Sequence, residues 1–451
     1  MATIKPFKGI RYNLSKLGDL TPVMAPPYDV ISPEYQNKLY DRHHCNVIKL
    51  ILTKEAPGDN ETNNKYTRAA KDFKTWISTG ILEQIPKPSI FYYTQSYKLK
   101  EGRIRTRKGF IALCKLEEFG KGSVFPHEKT LSGPKADRLS LMKEVNANLS
   151  CIFAIFPEAS DIAAEKRVTG IIENARHGEP MVDVKGDDGV VNNVWKISDE
   201  AAIAKVAEIM KDKKVFIADG HHRYETAINY RNYMREKTGK TGGNEPFDYV
   251  MMYFASMGED GLDIFPTHRV VHSVEGFSLS KTLEKAKEYF DITEYSFDGD
   301  GIETDTRKRF LADMNSHYGK ITAFGLYAKE KNAYYLLKLK DKSIMDKVFG
   351  KDMPDLYKTL DVTVLHSLIL NKILGISQED QEKQKNLVYI KDTDEAFKAG
   401  KVDKHQAVFI MNATKVSDVQ DISEAGLLMP QKSTYFYPKL LSGVIFNPLW
   451  D

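Results

Sequence analysis

Residues 219–223 read Asp-Gly-His-His-Arg. A carboxylate, two imidazoles and a guanidinium within five residues are costly to group without a ligand. They can hold a metal, a phosphate, or both. The apolar run Val215, Phe216, Ile217 and Ala218 predicts a buried strand, which Gly220 ends. From His222 onward, Tyr224, Ala227, Ile228 and Met234 recur at helical spacing, up to a stop at Gly239. The cluster therefore lies between a strand end and the first turn of a helix. Backbone N–H groups are free there, and the helix dipole attracts negative charge. Gly220 lets the backbone approach a phosphate closely. A polar helix start, with Asp219 as a cap and Arg223 on the surface, explains any one of these residues more easily than the set.

The rest of the chain must position this cluster. Its 451 residues imply two or three domains. Hydrophobic residues at 42% and charged residues at 28% are those of a globular protein. Lys+Arg 65 against Asp+Glu 62 leaves +3, which argues against a dedicated nucleic-acid binder. Cys45, Cys114 and Cys151 are widely spaced, without metal-ligand spacing, and imply free thiols in a reducing compartment. The opening MATIKPFKGIRY lacks an apolar signal core, and no apolar run reaches membrane-spanning length. A cytoplasmic location without membrane or nucleic-acid partners is expected.

Along the chain, further polar groups collect in loops. Pro26 and Pro27 force an extended path that presents Tyr28 and Asp29, and Ser32-Pro33-Glu34 opens a helix. Residues 46–52 predict a buried strand, and 65–80 a helix with Ala69, Phe73 and Trp76 on one side. Residues 89–118 predict a β-hairpin. A loop then carries His127, Glu128, Lys129, Thr130, Lys135, Asp137 and Arg138, ahead of a helix with Leu139, Met142, Val145 and Leu149 on one face and a strand at 151–156. Residues 160–213 read as helical around a break at GDDGV. A strand at 248–257 precedes Thr267, His268 and Arg269. A shift in character near 275 divides the chain into 1–275 and 276–451. The later part predicts helices, a hairpin, a helix at 362–374 with a core histidine, His366, and a loop with Lys432, Ser433, Thr434 and Lys439. That loop lacks the Gly-x4-Gly-Lys pattern of a Walker loop.

The segment IADGHHRYETA resembles the signature of the domain of unknown function 1015 family, as do PPYDVIS, the His-Glu-x-Thr followed by Lys-x-Asp-Arg, and the segment around Lys432. The same residues resemble the Gly-x-x-Arg phosphate motif of the ParB/sulfiredoxin superfamily. His221 stands where sulfiredoxins carry Cys, so their sulfur chemistry does not carry over. The Asp-Gly-His-His-Arg form is that of the superfamily's free L-serine kinases. The resemblance implies a mixed α/β (α+β) fold: a ParB/sulfiredoxin-like core with large insertions over 1–275, and a C-terminal α/β region contributing a phosphate-binding loop.

Phosphoryl transfer needs cations or amides around the phosphoryl group, a metal, and a carboxylate base. The chain offers Gly220, His221, His222, Arg223, Lys135, Arg138, Lys432, Ser433, Thr434 and Lys439 for phosphate. Asp29, Glu34, Glu128 and Asp219 are the candidate catalytic carboxylates, with His221 and His222 as donors. Asp219 and Asp137 would bind Mg²⁺. Tyr28, His127, Thr267, His268 and Arg269 would line the substrate site. The resemblance implies L-serine as acceptor. Cationic clusters without a nucleoside signature favour inorganic pyrophosphate as donor over ATP or ADP. A metal-dependent phosphatase and a non-catalytic, nucleotide-responsive ParB-like protein are the rival readings.

Overall fold

The computed structural model describes residues 2–130, 132–159 and 161–450. Two compact units form. The first is Met1–Pro126, Thr130–Asp263 and Pro438–Asp451; the second is His127–Lys129 and Ile264–Tyr437. The chain passes to the second unit at 263/264, ahead of the boundary expected near 275, and its last stretch belongs to the first unit.

A nine-stranded mixed sheet spans the first unit. Ile90–Lys98 and Ile104–Lys115 form the expected hairpin, and Tyr249–Ser256 pairs antiparallel with the latter. Ile152–Phe156 runs parallel beside Tyr249–Ser256, and Val215–Asp219 lies antiparallel to Ile152–Phe156. Tyr249–Ser256 and Ile152–Phe156 are buried along their whole length, because helices cover the sheet. The helix His221–Thr238 packs Tyr224, Ala227 and Ile228 into the same core as Val215 and Ile217. Gly239, at φ 71°, caps it by donating its N–H to Arg235 O.

Two segments fold differently from what their sequence pattern predicts. Residues 46–52 contain a short helix, Ile48–Ile51, where a strand was expected. Asn46 explains it: its Oδ1 accepts from Ile48 N–H, and its Nδ2 donates to the carbonyls of Pro22 and Met24. An apolar run does not by itself separate helix from strand. Residues 160–213 are not all helical. Val182–Lys185 and Val191–Ile197 pair antiparallel on the sheet edge, and the Gly/Asp-rich segment is their turn, with Gly186 N–H donating to Val190 O. The expected helix at 65–80 forms as Lys65–Ser78 and buries Ala69, Phe73 and Trp76.

The second unit is built on a six-stranded sheet that includes His268–His272, Ala323–Tyr327, Ala333–Leu339 and His405–Met411. Phe310, Tyr334, Phe397 and Val408 fill its core. The helix expected over 362–374 begins as Asp361–Val364 and continues as a π-helix over Leu365–Ile373. Among the described residues, no helix is long and apolar enough to cross a membrane.

Candidate active site

Strand Val215–Asp219 ends at Gly220, which adopts φ 95°, ψ 30° before the helix begins at His221. That backbone suits glycine. A Cβ at Gly220 would come within 2.8 Å of Arg223 Nε, so a side chain there would displace the guanidinium. Gly220→Ala is therefore expected to cost stability, by roughly 1–2 kcal/mol for the left-handed backbone, and to lower activity further, by up to about 10²-fold through misplacement of Arg223. Thermal unfolding and steady-state rates measured on the same preparation check this. An unchanged rate would show that the position of Arg223 is immaterial.

Asp219 is the hub of the motif. Arg223 Nη2 donates to its Oδ2 at 2.6 Å, and Lys439 Nζ donates to its Oδ1. Arg223 Nη1 also donates to the Cys151 carbonyl. The three charged side chains are only 17%, 14% and 12% exposed. Burial alone would raise the Asp219 pKa, but Lys439 and Arg223 override it and hold the carboxyl well below the usual carboxylate range. A carboxylate so held is a poor proton acceptor and a good anchor. Lys439 is itself positioned from behind. Arg107, buried on strand Ile104–Lys115, donates through Nη2 to Pro438 O at 2.6 Å, and Gln95 Nε2 donates to Lys439 O at 2.9 Å.

Arg223 borders a small cavity of about 50 Å³ that is also lined by Tyr28, Arg138, Asn148, Ser150 and Thr226. The Arg138 guanidinium lies 4.3 Å from the Tyr28 ring centroid, and its Nη1 donates to Ile51 O at 2.6 Å. Burial raises the Tyr28 phenol above its ordinary value, while Arg223 and Arg138 pull it back. Among the described residues, the Thr226 hydroxyl is buried without a hydrogen-bond partner. An orphaned hydroxyl on a residue that lines a cavity with two arginines marks a place for an oxyanion or ordered water. Of the residues expected to contact phosphate or substrate, the first unit brings Tyr28, Arg138 and Arg223 to this cavity and Lys439 to Asp219. Sequence reasoning missed Thr226, Ser150, Asn148, Arg107 and Gln95, whose polarity carries no local signature.

Other expected residues are arranged differently. Asp29 is exposed, on the short turn Tyr28–Val30. Glu34 pairs with Lys38 at 3.1 Å and is 81% exposed. Lys135 pairs with Glu225 at 2.5 Å, and Thr130 donates to the same carboxylate oxygen. His221 is buried and its charge bears on Asp219; His222 is half-buried.

The remainder of the expected set gathers in the second unit. His127 Nε2 lies 2.8 Å from Thr434 Oγ1. Glu128 Oε1 accepts from Lys432 N–H at 2.8 Å. Lys432 adopts φ 58°, unusual for a residue with a side chain. Its carbonyl accepts from Arg269 Nη2, and Ser433 O accepts from Thr414 Oγ1. Both ring nitrogens of His268 are engaged within the second unit. Its Nδ1 accepts from Met411 N–H, so Nε2 carries the proton and faces Thr393 Oγ1 at 3.0 Å. His366 is half-buried, and desolvation together with Arg269 holds its pKa well below the ordinary value.

The carboxylates expected to bind Mg²⁺ do not fit a resident ion. Both oxygens of Asp219 face cations. Asp137 Oδ1 accepts from Tyr66 and faces Lys65, and its Oδ2 accepts from Arg138 Nε at 2.9 Å. Mg²⁺ needs such oxygens for a near-octahedral shell. Among the described residues, His43, His44 and Cys45 bring three donor atoms within 4.8 Å of one another, but the Cys45 N–H already occupies His43 Nδ1.

A family model described as "Protein of unknown function (DUF1015)" matches residues 4–363. The chain belongs to the DUF1015 family. Three solved structures show a distant likeness to this DUF1015 chain. One is a free serine kinase in complex with AMP, at 13% identity over 70% of this chain and 83% of that one, with a TM-score of 0.32. A conserved hypothetical protein from Pyrococcus furiosus shows 13% identity over 70% and 87%, at 0.31. SbnI with C-terminal truncation from Staphylococcus aureus shows 8% identity over 72% and 84%, at 0.33. No curated protein matches the DUF1015 chain.

Proposed function

We propose that this protein is a phosphotransferase that moves a phosphoryl group from inorganic pyrophosphate to the hydroxyl of free L-serine. The products are O-phospho-L-serine and orthophosphate. The observation that carries the reading is the small cavity at the start of helix His221–Thr238, bounded by Arg223, Arg138 and the orphaned Thr226 hydroxyl. Fixed cations and helix N–H groups are what a loose, highly charged phosphoryl transition state requires. Asp219 acts as a positioning residue for Arg223 and Lys439. The serine hydroxyl gives its proton to a carboxylate as its oxygen bonds to phosphorus, and the bond to the leaving orthophosphate breaks. Asp29, beside Tyr28 on the same turn, is the first choice for that base, with Glu34 and Glu128 as alternatives. A cavity of about 50 Å³ suits a compact donor, since pockets for drug-sized organic ligands measure several hundred Å³.

Mg²⁺ enters this reading as part of the substrate, carried on pyrophosphate, because Asp219 and Asp137 are both engaged by cations. EDTA is expected to abolish turnover and excess Mg²⁺ to restore it, while the purified protein retains no stoichiometric Mg²⁺ by elemental analysis. Full activity in EDTA would remove the metal from the scheme, and restoration by Zn²⁺ alone would favour a hydrolase. To test the donor, serine is incubated with pyrophosphate, ATP or ADP in turn, and O-phosphoserine is quantified. Pyrophosphate is expected to support the highest rate. Product from nucleotides alone would replace it as donor.

A further inference from the structure

We propose that the second unit carries a binding site for an organic phosphate, anchored at its anionic end by Arg269 and Lys415. The site is a cavity of about 410 Å³, lined among others by Thr267, Arg269, Asn412, Thr414, Lys415 and Ser433. That volume lies within the range of small-molecule sites.

Arg269 is 1% exposed, yet among the described residues it forms no salt bridge. It donates to the carbonyls of Thr267 and Lys432 and, at 3.3 Å, to the neutral imidazole of His366. Burial lowers its pKa to about 10, with Glu128 and Tyr389 opposing that fall, so it remains charged at neutral pH. A buried cation whose hydrogen bonds all go to neutral groups is costly unless an anion completes it. The cavity adds further cations that form no salt bridge among the described residues, although Lys415 bears on Asp361 and Asp418. Lys320, Lys340 and Lys415 line it, and their ammonium groups rest on the carbonyls of Ser316, Lys287 and Gly319 rather than on carboxylates.

The carboxylates in the same wall oppose this charge weakly. Asp418 accepts from Lys415 N–H and Asp341 from Ser343 N–H, while Asp421 is exposed. Burial pushes Asp361 up to about 7, so its protonated form can donate to an oxyanion. The rim is apolar. Tyr318, Ile321 and Leu356 line the cavity while remaining 39%, 40% and 37% exposed. Lys415 Nζ lies 5.7 Å from the Tyr318 ring centroid. A phosphate at Arg269 and Lys415 with a planar apolar portion against Tyr318 uses both ends, which a bare polyphosphate does not.

The test is independent of phosphotransfer, because it reads binding. Calorimetric titration of full-length protein carrying Arg223→Ala removes the first unit's phosphate motif from the measurement. The probes are AMP, orthophosphate and adenosine. AMP is expected to bind with one-to-one stoichiometry and more tightly than either fragment. Lys415→Gln and Arg269→Gln should each weaken AMP at least about tenfold, the loss of one charge-assisted contact. Tyr318→Ala should weaken AMP and leave orthophosphate unchanged. Lys415 lies towards the surface, so its variant keeps the test valid if Arg269→Gln fails to fold. No binding of AMP, AMP binding indifferent to Lys415→Gln, or orthophosphate binding as tight as AMP would each overturn the proposal.

Discussion

Arg223→Ala is expected to lower turnover by about 10³–10⁵-fold, the range over which a transition-state arginine acts in phosphoryl transfer, while the fold persists. Arg223 belongs to the first helical turn after Gly220, and its guanidinium reaches Asp219, Cys151 O and the cavity that also contains Thr226. Its removal leaves Asp219 still paired with Lys439, so no buried carboxylate is stranded. The loss should fall on kcat and kcat/KM together, because charge building on the phosphoryl oxygens is greatest in the transition state. Arg223→Lys restores charge without the planar fork and should recover only part of the rate. Near-normal turnover of Arg223→Ala, with unchanged circular dichroism, would sink the assignment of this motif to phosphate.

Asp29→Asn is expected to lower kcat by about 10²–10⁴-fold, the usual size of a general-base effect, with little change in either KM. The amide keeps the shape of the carboxylate and removes its capacity to take a proton. Asp29 lies on the rigid turn after Pro26 and Pro27, directly after Tyr28, which lines the cavity with Arg138 and Arg223. Its exposure permits substrate to approach. Glu34→Gln and Glu128→Gln serve as comparisons under single-turnover conditions. Glu34 is largely solvated and held by Lys38, and Glu128 is committed to Lys432 N–H, so both should be milder. Wild-type chemistry in all three variants would mean that the base, and with it the pocket, is misassigned.

A pH effect on stability is expected from Asp361. Burial pushes its pKa up to about 7, against the pull of Asn412 and Lys415. The folded protein then keeps a proton that the unfolded chain releases near the ordinary value of about 4. The stability linked to that proton is complete below about 4 and is lost as pH rises towards 7. Asp361→Asn should flatten this slope when melting temperatures are compared between pH 5 and pH 8. An undiminished slope would assign it to other groups.

What the sequence disclosed and what it hid follow from the range of the interactions. The strand–glycine–helix unit around Asp219 was legible because its signals are local: an apolar run, a glycine that must take positive φ, helical periodicity and a terminal Gly239. The hairpin over 89–118 was legible for the same reason. The pairing of Asp219 with Lys439 was not, because 220 residues separate them and only the folded first unit joins them. Asn46 turned an apparent strand into a helix by bonding to Pro22 and Met24, contacts that no apolar pattern encodes. The Thr226 hydroxyl lies on a helix face that periodicity assigns to the core. Its place in the proposed site appears only once Arg223, Arg138 and Tyr28 are folded around the same cavity. His268 shows the reverse case, a polar residue beside a suggestive neighbour that is absorbed by Met411 and Thr393.

The most direct measurement of the central claim is phosphorus NMR of the full-length protein with Mg²⁺ and pyrophosphate, recorded with and without L-serine. With serine, the pyrophosphate signal should give way to O-phosphoserine and orthophosphate in equal amounts; without serine it should persist. Orthophosphate appearing alone, at the same rate whether or not serine is present, would contradict phosphotransfer and identify a hydrolase instead.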